Sequence, residues 1–296
     1  MAPGPGWCAS RSPHRVAIRP RVSALVVSYN TCALTLEAIG SLLDHQPRAE
    51  VIVVDNASDD DSVEAIGRQF PSAELIQSDI NLGFAGGVNR GAQAANGDYL
   101  LFLNSDACLT PGALAHLVAL LDRQPRAALV APALQYPDGR AQPAAFRFPG
   151  LTQVALDLFP IDRLTDSLLN GRIKAMSATP IDHPLGACML IRRTAWDEVG
   201  PLDEGYFMYV EEIDWCRRAR AHGWQIWHEP LAVVVHHGGS STSQRPGAMF
   251  AQLWRSRLRY YARYHGPMYN RAVRTLARLG LRRYGEAVEG IRPLLG

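Results

Sequence analysis

Through the first half of the chain, continuous apolar runs alternate with stretches whose apolar positions recur at helical spacing. Residues 22–28 (VSALVVS) predict a buried strand, and residues 34–43 a helix with Thr31 as its N-cap. The apolar run 51–54 predicts a second strand that stops at Asp55 and Asn56; residues 62–70 follow as a helix and 74–77 as a short strand. A helix over 87–95, a strand over 99–103 and a helix over 111–122 complete this half, the last with Thr110 as N-cap and Pro111 at its first position. Strands that are apolar on both faces and separated by helices predict a parallel sheet covered on both sides.

The pattern then breaks into Pro-, Gly- and polar-rich sequence, with weak helical hints only at 154–159 and 164–170. A stretch this long inside a compact domain predicts a functional loop or lid. Order returns with a strand over 186–192, a short helix over 193–199, a helix over 212–222 ended by Gly223 and a strand over 231–236; from residue 249 onward the chain is helical and basic. The predicted organisation is an N-terminal arm over 1–20, a domain over 21–245 and a basic helical extension over 246–296. Within the domain, 21–135 is a nucleotide-fold candidate, 136–182 a variable loop and 183–245 a second ordered half.

With 296 residues, 47% of them hydrophobic and 20% charged, the chain is long enough for a substantial core. No apolar run reaches the length of a membrane span, and the arginine- and proline-rich start lacks the apolar stretch of a signal peptide. Five widely spaced cysteines, Cys8, Cys32, Cys108, Cys188 and Cys216, form no CxxC pair and read as reduced thiols, which fits a cytoplasmic location. The net charge of +2 is unevenly spread: from Trp254 onward ten arginines face two acids, giving +8, so the preceding chain carries −6. Trp254, Leu258 and Tyr261 recur at helical spacing within that basic run, and predict either an anionic membrane surface or packing on the domain. Nucleic acid is the weaker partner reading for the same residues.

The candidate chemistry gathers at strand ends, where ligands bind in open parallel sheets. Ser28-Tyr29-Asn30, Asp55-Asn56, Asn104-Ser105-Asp106 and His236-His237 all end apolar runs in polar residues. An apolar run that stops at Asp106 places a hard-metal ligand at a sheet rim, and Glu211-Glu212-Ile213-Asp214-Trp215 supplies carboxylates for proton transfer. The glycine-dense run Asn81 to Gly91 reads as a turn whose backbone approaches an anion at a helix start. It lacks the Gly-Lys-Ser/Thr of a P-loop. Gly238-Gly239-Ser240-Ser241-Thr242-Ser243 reads as a flexible strap after His236.

Taken in order, Val26-Val27-Ser28-Tyr29-Asn30, Val53-Val54-Asp55-Asn56-Ala57-Ser58-Asp59, the Asn81 to Gly91 run, Leu103-Asn104-Ser105-Asp106, Gly186-Ala187-Cys188-Met189-Leu190-Ile191-Arg192-Arg193 and the Glu211 to Trp215 cluster resemble a family 2 glycosyltransferase. The similarity is to the bacterial rhamnosyltransferase-like branch. It implies an α/β GT-A fold: a Rossmann-like, mostly parallel central sheet flanked by helices, here with a C-terminal helical extension. It also implies an inverting transfer of a sugar from a UDP- or dTDP-sugar to a hydroxyl of a glycan, lipid-linked or small-molecule acceptor, at the inner face of a membrane.

By that resemblance Ser28, Tyr29, Asn30, Asp55, Asn56, Asn81, Gly83, Asn89, Asn104 and Ser105 would surround the nucleotide. Asp106 and His236 would hold a divalent cation, Mn²⁺ or Mg²⁺. Glu212 would be the general base with Glu211 as its fallback, and Gly186, Ala187, Asp214 and Trp215 would lie near the donor sugar or the acceptor. The resemblance makes 21–135 the nucleotide-binding half and 183–245 the acceptor and catalytic half, with the acceptor pocket built by residues 136–183. Asn104 stands where the family's Asp-x-Asp has its first acid. A sugar-phosphate nucleotidyltransferase and a non-catalytic nucleotide-sugar or glycan-binding module are the rival readings. The first expects a Gly-rich signature with a basic residue after the first strand, where this chain has Ser28-Tyr29-Asn30-Thr31.

Overall fold

The computed structural model describes residues 21–161, 168–239 and 246–282. The N-terminal arm, residues 162–167 with the start of the second weak helical hint (164–167), residues 240–245 with most of the strap (240–243), and the tail from 283 onward, Arg283 and Arg292 included, lie outside the described residues. In chain order the strands are β1 (Val22–Ser28), β2 (Glu50–Asp55), β3 (Glu74–Gln77), β4 (Tyr99–Asn104), β5 (Ala107–Leu109), β6 (Ala127–Gln135), β7 (Ala141–Gln142), β8 (Ala145–Phe146), β9 (Thr179–Ile181), β10 (His183–Pro184), β11 (Cys188–Arg192) and β12 (Gln225–His236). The helices are α1 (Cys32–His45), α2 (Ser62–Gln69), α3 (Gly83–Ala94), α4 (Ala113–Arg123), α5 (Leu151–Leu158), α6 (Arg193–Val199), α7 (Glu211–Ala221), α8 (Pro246–Tyr264) and α9 (Pro267–Leu281).

The main path of the central sheet runs β3-β2-β1-β4-β11-β6-β12-β5. Its first four strands are parallel, as the pattern of runs predicts, but β11 is antiparallel to both β4 and β6, and β5 is antiparallel to β12. The sheet is therefore mixed beyond its nucleotide-side half.

Successive residues of each strand face opposite layers. Ala24, Val26, Val53, Leu101 and Leu103 face α1 and α4, while Leu25, Ile52, Leu100 and Phe102 face α3, α6 and α7. Double-sided burial is why these strands read as continuous apolar runs rather than as alternations.

Several predicted boundaries shift for identifiable reasons. Strand β6 escapes the pattern because it is alanine-rich and carries Pro132, which cannot donate to a ladder. Pro132 lies opposite Glu229, where β12 has an irregularity in register, so the proline sits where the ladder is already broken. Helix α4 begins two residues later than expected: Gly112, at φ 80°, is its N-cap, and Thr110 instead donates its hydroxyl to the Val233 carbonyl at 2.7 Å.

Helix α3 begins four residues earlier than expected, at Gly83, so most of the glycine-dense run is helix and not turn. A Cβ at Gly87 would lie 2.7 Å from Val27 Cγ1. The glycine there lets α3 press onto β1 rather than admitting an anion. The predicted loop over 136–182 contains β7, β8, α5 and β9, with β8 pairing β10 in a small second sheet.

The described part of the basic C-terminal region, residues 246–282, packs into the molecule. Trp254, Leu258, Tyr260 and Tyr261 of α8 join Val154 and Leu158 of α5 and Val273, Ala277 and Leu281 of α9 in a third cluster. The stripe that could have entered a lipid surface is thus buried. Its arginines are partly tied down as well: Arg257 pairs with Asp157 at 2.7 Å, and Arg259 and Arg263 pair with Asp203 at 3.0 and 2.6 Å. Among the described residues no helix is long and apolar enough to cross a membrane.

Candidate active site

The ends of β1, β2 and β4 form one rim, because Ser28 pairs with Asp55 and Val27 with Asn104 in the parallel ladder. After Asn104 the chain turns back into β5, whose residue Ala107 pairs with His236 of β12. That antiparallel pairing brings Asp106 and His236 together from distant parts of the sequence. His236 Nε2 lies 3.3 Å from Asp106 Oδ1, with both side chains buried. The other ring nitrogen, Nδ1, lies 2.9 Å from Gln142 Oε1. An amide oxygen can only accept, so Nδ1 carries a proton towards Gln142, and this contact holds the ring with Nε2 facing Asp106.

The rim opens on a cavity of about 450 Å³. Its lining includes Tyr29, Asn56, Asn81 and Phe84, then Asn104, Ser105, Asp106 and His236, and also Gly186, Ala187, Glu211 and Glu212. Phe207, Met208, Tyr209, Ala248 and Met249 line it as well, and Ala187 adjoins Asn104, whose amide donates to its carbonyl at 2.9 Å. The described residues of 136–183, from which the acceptor pocket is expected, do not line this cavity, whereas the loop before α7 and the first turn of α8 do. Phe207, Met208, Ala248 and Met249 are apolar, and nothing in the sequence distinguishes them from core residues.

Glu211 and Glu212 open α7 directly after Tyr209 (φ 68°) and Val210 (φ 76°). Two consecutive non-glycine residues in the left-handed region mark a strained junction, the kind that persists only where the surroundings over-determine it. Burial holds the Glu211 carboxyl well above the usual carboxylate range, reinforced by the neighbouring Glu212. Burial likewise pushes Glu212 up to about 7, although backbone amides at the helix start pull the other way. Such a value suits a proton acceptor working near neutrality. Glu212 packs over Gly186, where a Cβ would stand 3.6 Å from its Cγ.

Asp55 Oδ1, Asn104 Oδ1, Glu211 Oε2 and Glu212 Oε2 are buried without a hydrogen-bond partner. Asn104, Glu211 and Glu212 line the cavity and Asp55 ends the neighbouring strand; five further such atoms among the described residues lie outside the cavity lining, those of His183, His228, His265 and Tyr269 among them. Buried polar groups left without partners are costly in a folded chain, and those that line a cavity are open to a polar ligand.

Other expected site residues have structural duties. Asn89 donates to the Leu202 carbonyl and Glu204 at 2.9 Å each and accepts from the Leu202 amide at 3.0 Å, so its amide is consumed away from the cleft. Ser28 is fully buried with its hydroxyl 2.9 Å from that of Thr35. Asn30 (φ 51°) receives the Asp59 amide on Oδ1 at 2.7 Å and braces the loop after β2. Asn56 faces the cleft, but its amide is engaged with Asn81, Gly83 and Leu82.

Asp214 and Trp215 do not reach the cleft. Trp215 stacks on Trp196 in the core and donates to the Gly200 carbonyl at 2.9 Å, while Asp214, fully buried, turns towards α8. Two positions on from Glu212, Asp214 stands about 200° round the helix at about 100° per residue, while Trp215, about one turn beyond Glu211, is held in the core by Trp196. Burial also pushes the Cys188 thiol up to about 12 and Cys216 well above its usual value, so neither serves as a nucleophile.

The sequence profile named Glycosyl transferase family 2 matches residues 23–200. The N-acetylglucosaminyl-diphospho-decaprenol L-rhamnosyltransferase of Mycobacterium tuberculosis is 30% identical over 250 residues, 79% of this chain and 81% of that protein. A mannosyltransferase of Pyrobaculum calidifontis, solved with GDP-Man and Mn²⁺, superposes with a TM-score of 0.59 at 17% identity over 94% of this chain and 79% of its own. GalNAc-T7, solved with UDP, GalNAc and Mn²⁺, superposes with a TM-score of 0.56 at 17% identity, over 74% of this chain but only 44% of that one. At such identity these two likenesses speak for the fold, which is GT-A, while the profile match and the mycobacterial relative speak for descent. The chain belongs to glycosyltransferase family 2, and it is a glycosyltransferase.

Proposed function

We propose that the chain transfers a sugar, with inversion, from a dTDP- or UDP-sugar to a hydroxyl of a glycan or lipid-linked acceptor. Rhamnose, delivered to an N-acetylglucosaminyl diphosphate lipid, is the leading pair, supported by the name of the mycobacterial relative, and dTDP-rhamnose is the donor to test first. The observation that carries the chemistry is the placement of Glu212, pushed to about 7, in the lining of the same cavity as Asp106 and His236.

In this reading Tyr29, Asp55 and Asn81 hold the base and ribose, and the orphaned Asp55 Oδ1 and Asn104 Oδ1 receive hydrogen bonds from the nucleotide. Asp106 and His236 would hold a divalent cation. Their facing Oδ1 and Nε2 atoms, 3.3 Å apart at the lining of the cavity, are a carboxylate and an imidazole, donors that suit such an ion. An imidazole with its Nδ1 proton held by Gln142 is prepared for such a role. When bound, the cation would neutralise the charge that develops on the leaving diphosphate.

The chain's own steps follow from the wall. Glu212 accepts the proton of the acceptor hydroxyl as its oxygen bonds to the anomeric carbon. On the opposite side the bond from that carbon to the nucleoside diphosphate breaks, and the leaving group departs with the electron pair. Glu211, kept protonated by burial, adds no competing charge beside the base. Gly186, with no side chain, leaves room beside Glu212 for the reacting hydroxyl.

The test is nucleoside diphosphate release from dTDP-rhamnose with the N-acetylglucosaminyl diphosphate lipid, with Mn²⁺ and with a chelator. Acceptor-dependent release that disappears with the chelator is expected. Undiminished release in the chelator would remove the cation from the account, and no release with any dTDP- or UDP-sugar would remove the donor class.

A further inference from the structure

The segment between α6 and α7 ends in the strained Tyr209 and Val210 and delivers Glu211 and Glu212 to the cleft. It is held from two sides. On the nucleotide side, α3 grips it through Asn89, bonded to Leu202 and Glu204, and through the Phe84 amide, which donates to the Phe207 carbonyl at 2.8 Å. A Cβ at Gly83 would lie 2.0 Å from that same carbonyl oxygen, so the two backbones are in direct contact. On the opposite side, α8 grips it. Ser256 donates its hydroxyl to the Met208 carbonyl at 2.8 Å, and Arg259 and Arg263 close on Asp203.

The far end of α8 is fastened to the first turn of α7 by Asp214, which is fully buried. Asp214 Oδ2 receives Arg218 Nε at 2.9 Å; Oδ1 receives the Tyr264 hydroxyl at 2.7 Å, with the Tyr206 hydroxyl at 3.4 Å and Arg263 Nη1 at 3.3 Å. A buried carboxylate with this many donors fixes its neighbours rigidly, because losing any one leaves polar groups unpaired. The first turn of α8, through Ala248 and Met249, lines the cleft itself. One helix thus touches the ligand cavity, the carbonyl beside the strained pair and the turn that carries the acids.

We propose that α8 is a clamp that positions the Glu211–Glu212 pair for transfer, with Asp214 and Ser256 as its positioning residues. This rests on the reading of Glu212 as the base. Left-handed φ values at Tyr209 and Val210 are held by surrounding contacts and relax when those contacts weaken. A shift of about 1 Å in a reacting group is enough to cost about a hundredfold in rate. The C-terminal helices, which lie beyond the profile match at residues 23–200, are on this account part of the transfer apparatus rather than an appendage.

The test uses the full chain and the variants Ser256→Ala, Tyr264→Phe and Asp214→Asn, with dTDP-rhamnose, the N-acetylglucosaminyl diphosphate lipid and Mn²⁺. Ser256→Ala and Tyr264→Phe each remove one hydrogen bond and are expected to lower kcat about tenfold, and Asp214→Asn about a hundredfold, with the donor KM within about threefold of wild type. Amide exchange over residues 207–212 should quicken, while β1, β2 and β4 keep their protection. Wild-type kcat with unchanged exchange at 207–212 in the two hydroxyl variants would overturn the clamp, even if Asp214→Asn fails to fold. So would a loss that falls on KM alone. Glu212→Gln in the same assay separates the two ideas: if it turns over normally the base is misassigned, whereas an inactive Glu212→Gln beside fully active clamp variants refutes only the clamp. If wild type transfers nothing from this donor, the substrate reading fails and the exchange measurement still decides the clamp.

Discussion

Replacing Glu212 with glutamine should make the protein more stable and less active, and the stability change has a defined pH dependence. Burial raises this carboxyl from 4.5 to about 7 in the folded chain. Between those values the folded state holds a proton that the unfolded state has released, so wild-type stability falls as pH rises through the window. The loss is complete above pH 7 and absent below about 4.5. At about 1.4 kcal/mol per pH unit, the charged glutamate costs the fold on the order of 3 kcal/mol at pH 8. Glutamine keeps the shape without the charge.

Glu212→Gln should therefore melt several degrees above wild type at pH 8, given about 2–4 °C per kcal/mol for chains somewhat shorter than this one, and the difference should close towards pH 4.5. Turnover should fall by about two to four orders of magnitude, the worth of a positioned general base. Thermal melts of both proteins from pH 4.5 to 8.5, with initial rates at pH 7.5, decide the matter. A pH-independent difference would mean that Glu212 is not buried as described, and wild-type turnover would mean that it is not the base.

His236→Ala should abolish the extra thermal stabilisation that UDP or dTDP gives in the presence of Mn²⁺ over its absence; retention of that increment would take His236 out of the cation shell. Gly87→Ala should destabilise the fold by about 1–3 kcal/mol despite alanine's better helix propensity, since its Cβ would stand 2.7 Å from Val27 Cγ1; a neutral or stabilising effect in urea melts would show that α3 can move off the sheet. With Trp254, Leu258 and Tyr261 buried, sedimentation with anionic liposomes should occur only at low salt, through arginine charge alone; binding that survives high salt would mean that apolar side chains insert.

The nucleotide-side half was legible because its strands are buried on both faces and its polar residues stand at their ends. Asp55, Asp106 and His236 could be placed at one rim from that pattern, and the structure brings the last two to 3.3 Å. What was illegible depended on tertiary contacts. Strand β6 hides behind alanines and Pro132, tolerated only because β12 is irregular opposite it. Asn89 looked like a ligand for the nucleotide because nothing in the sequence reveals that Leu202 and Glu204 occupy its amide. Asp214 looked like a site residue because it stands two positions from Glu212, but helix geometry turns it towards Tyr264 and Arg263. The basic tail read equally as a lipid anchor or a packing element, and only burial of its aromatic stripe decides for packing.

The most direct test of the central claim is the anomeric configuration of the first-formed product, followed by NMR during transfer from dTDP-rhamnose to the N-acetylglucosaminyl diphosphate lipid. A wall that supplies one base on the acceptor side predicts a single displacement, and hence a glycoside of configuration opposite to that in the donor. A product that retains the donor's configuration would contradict the account, because it requires either a double displacement or attack from the leaving group's own side.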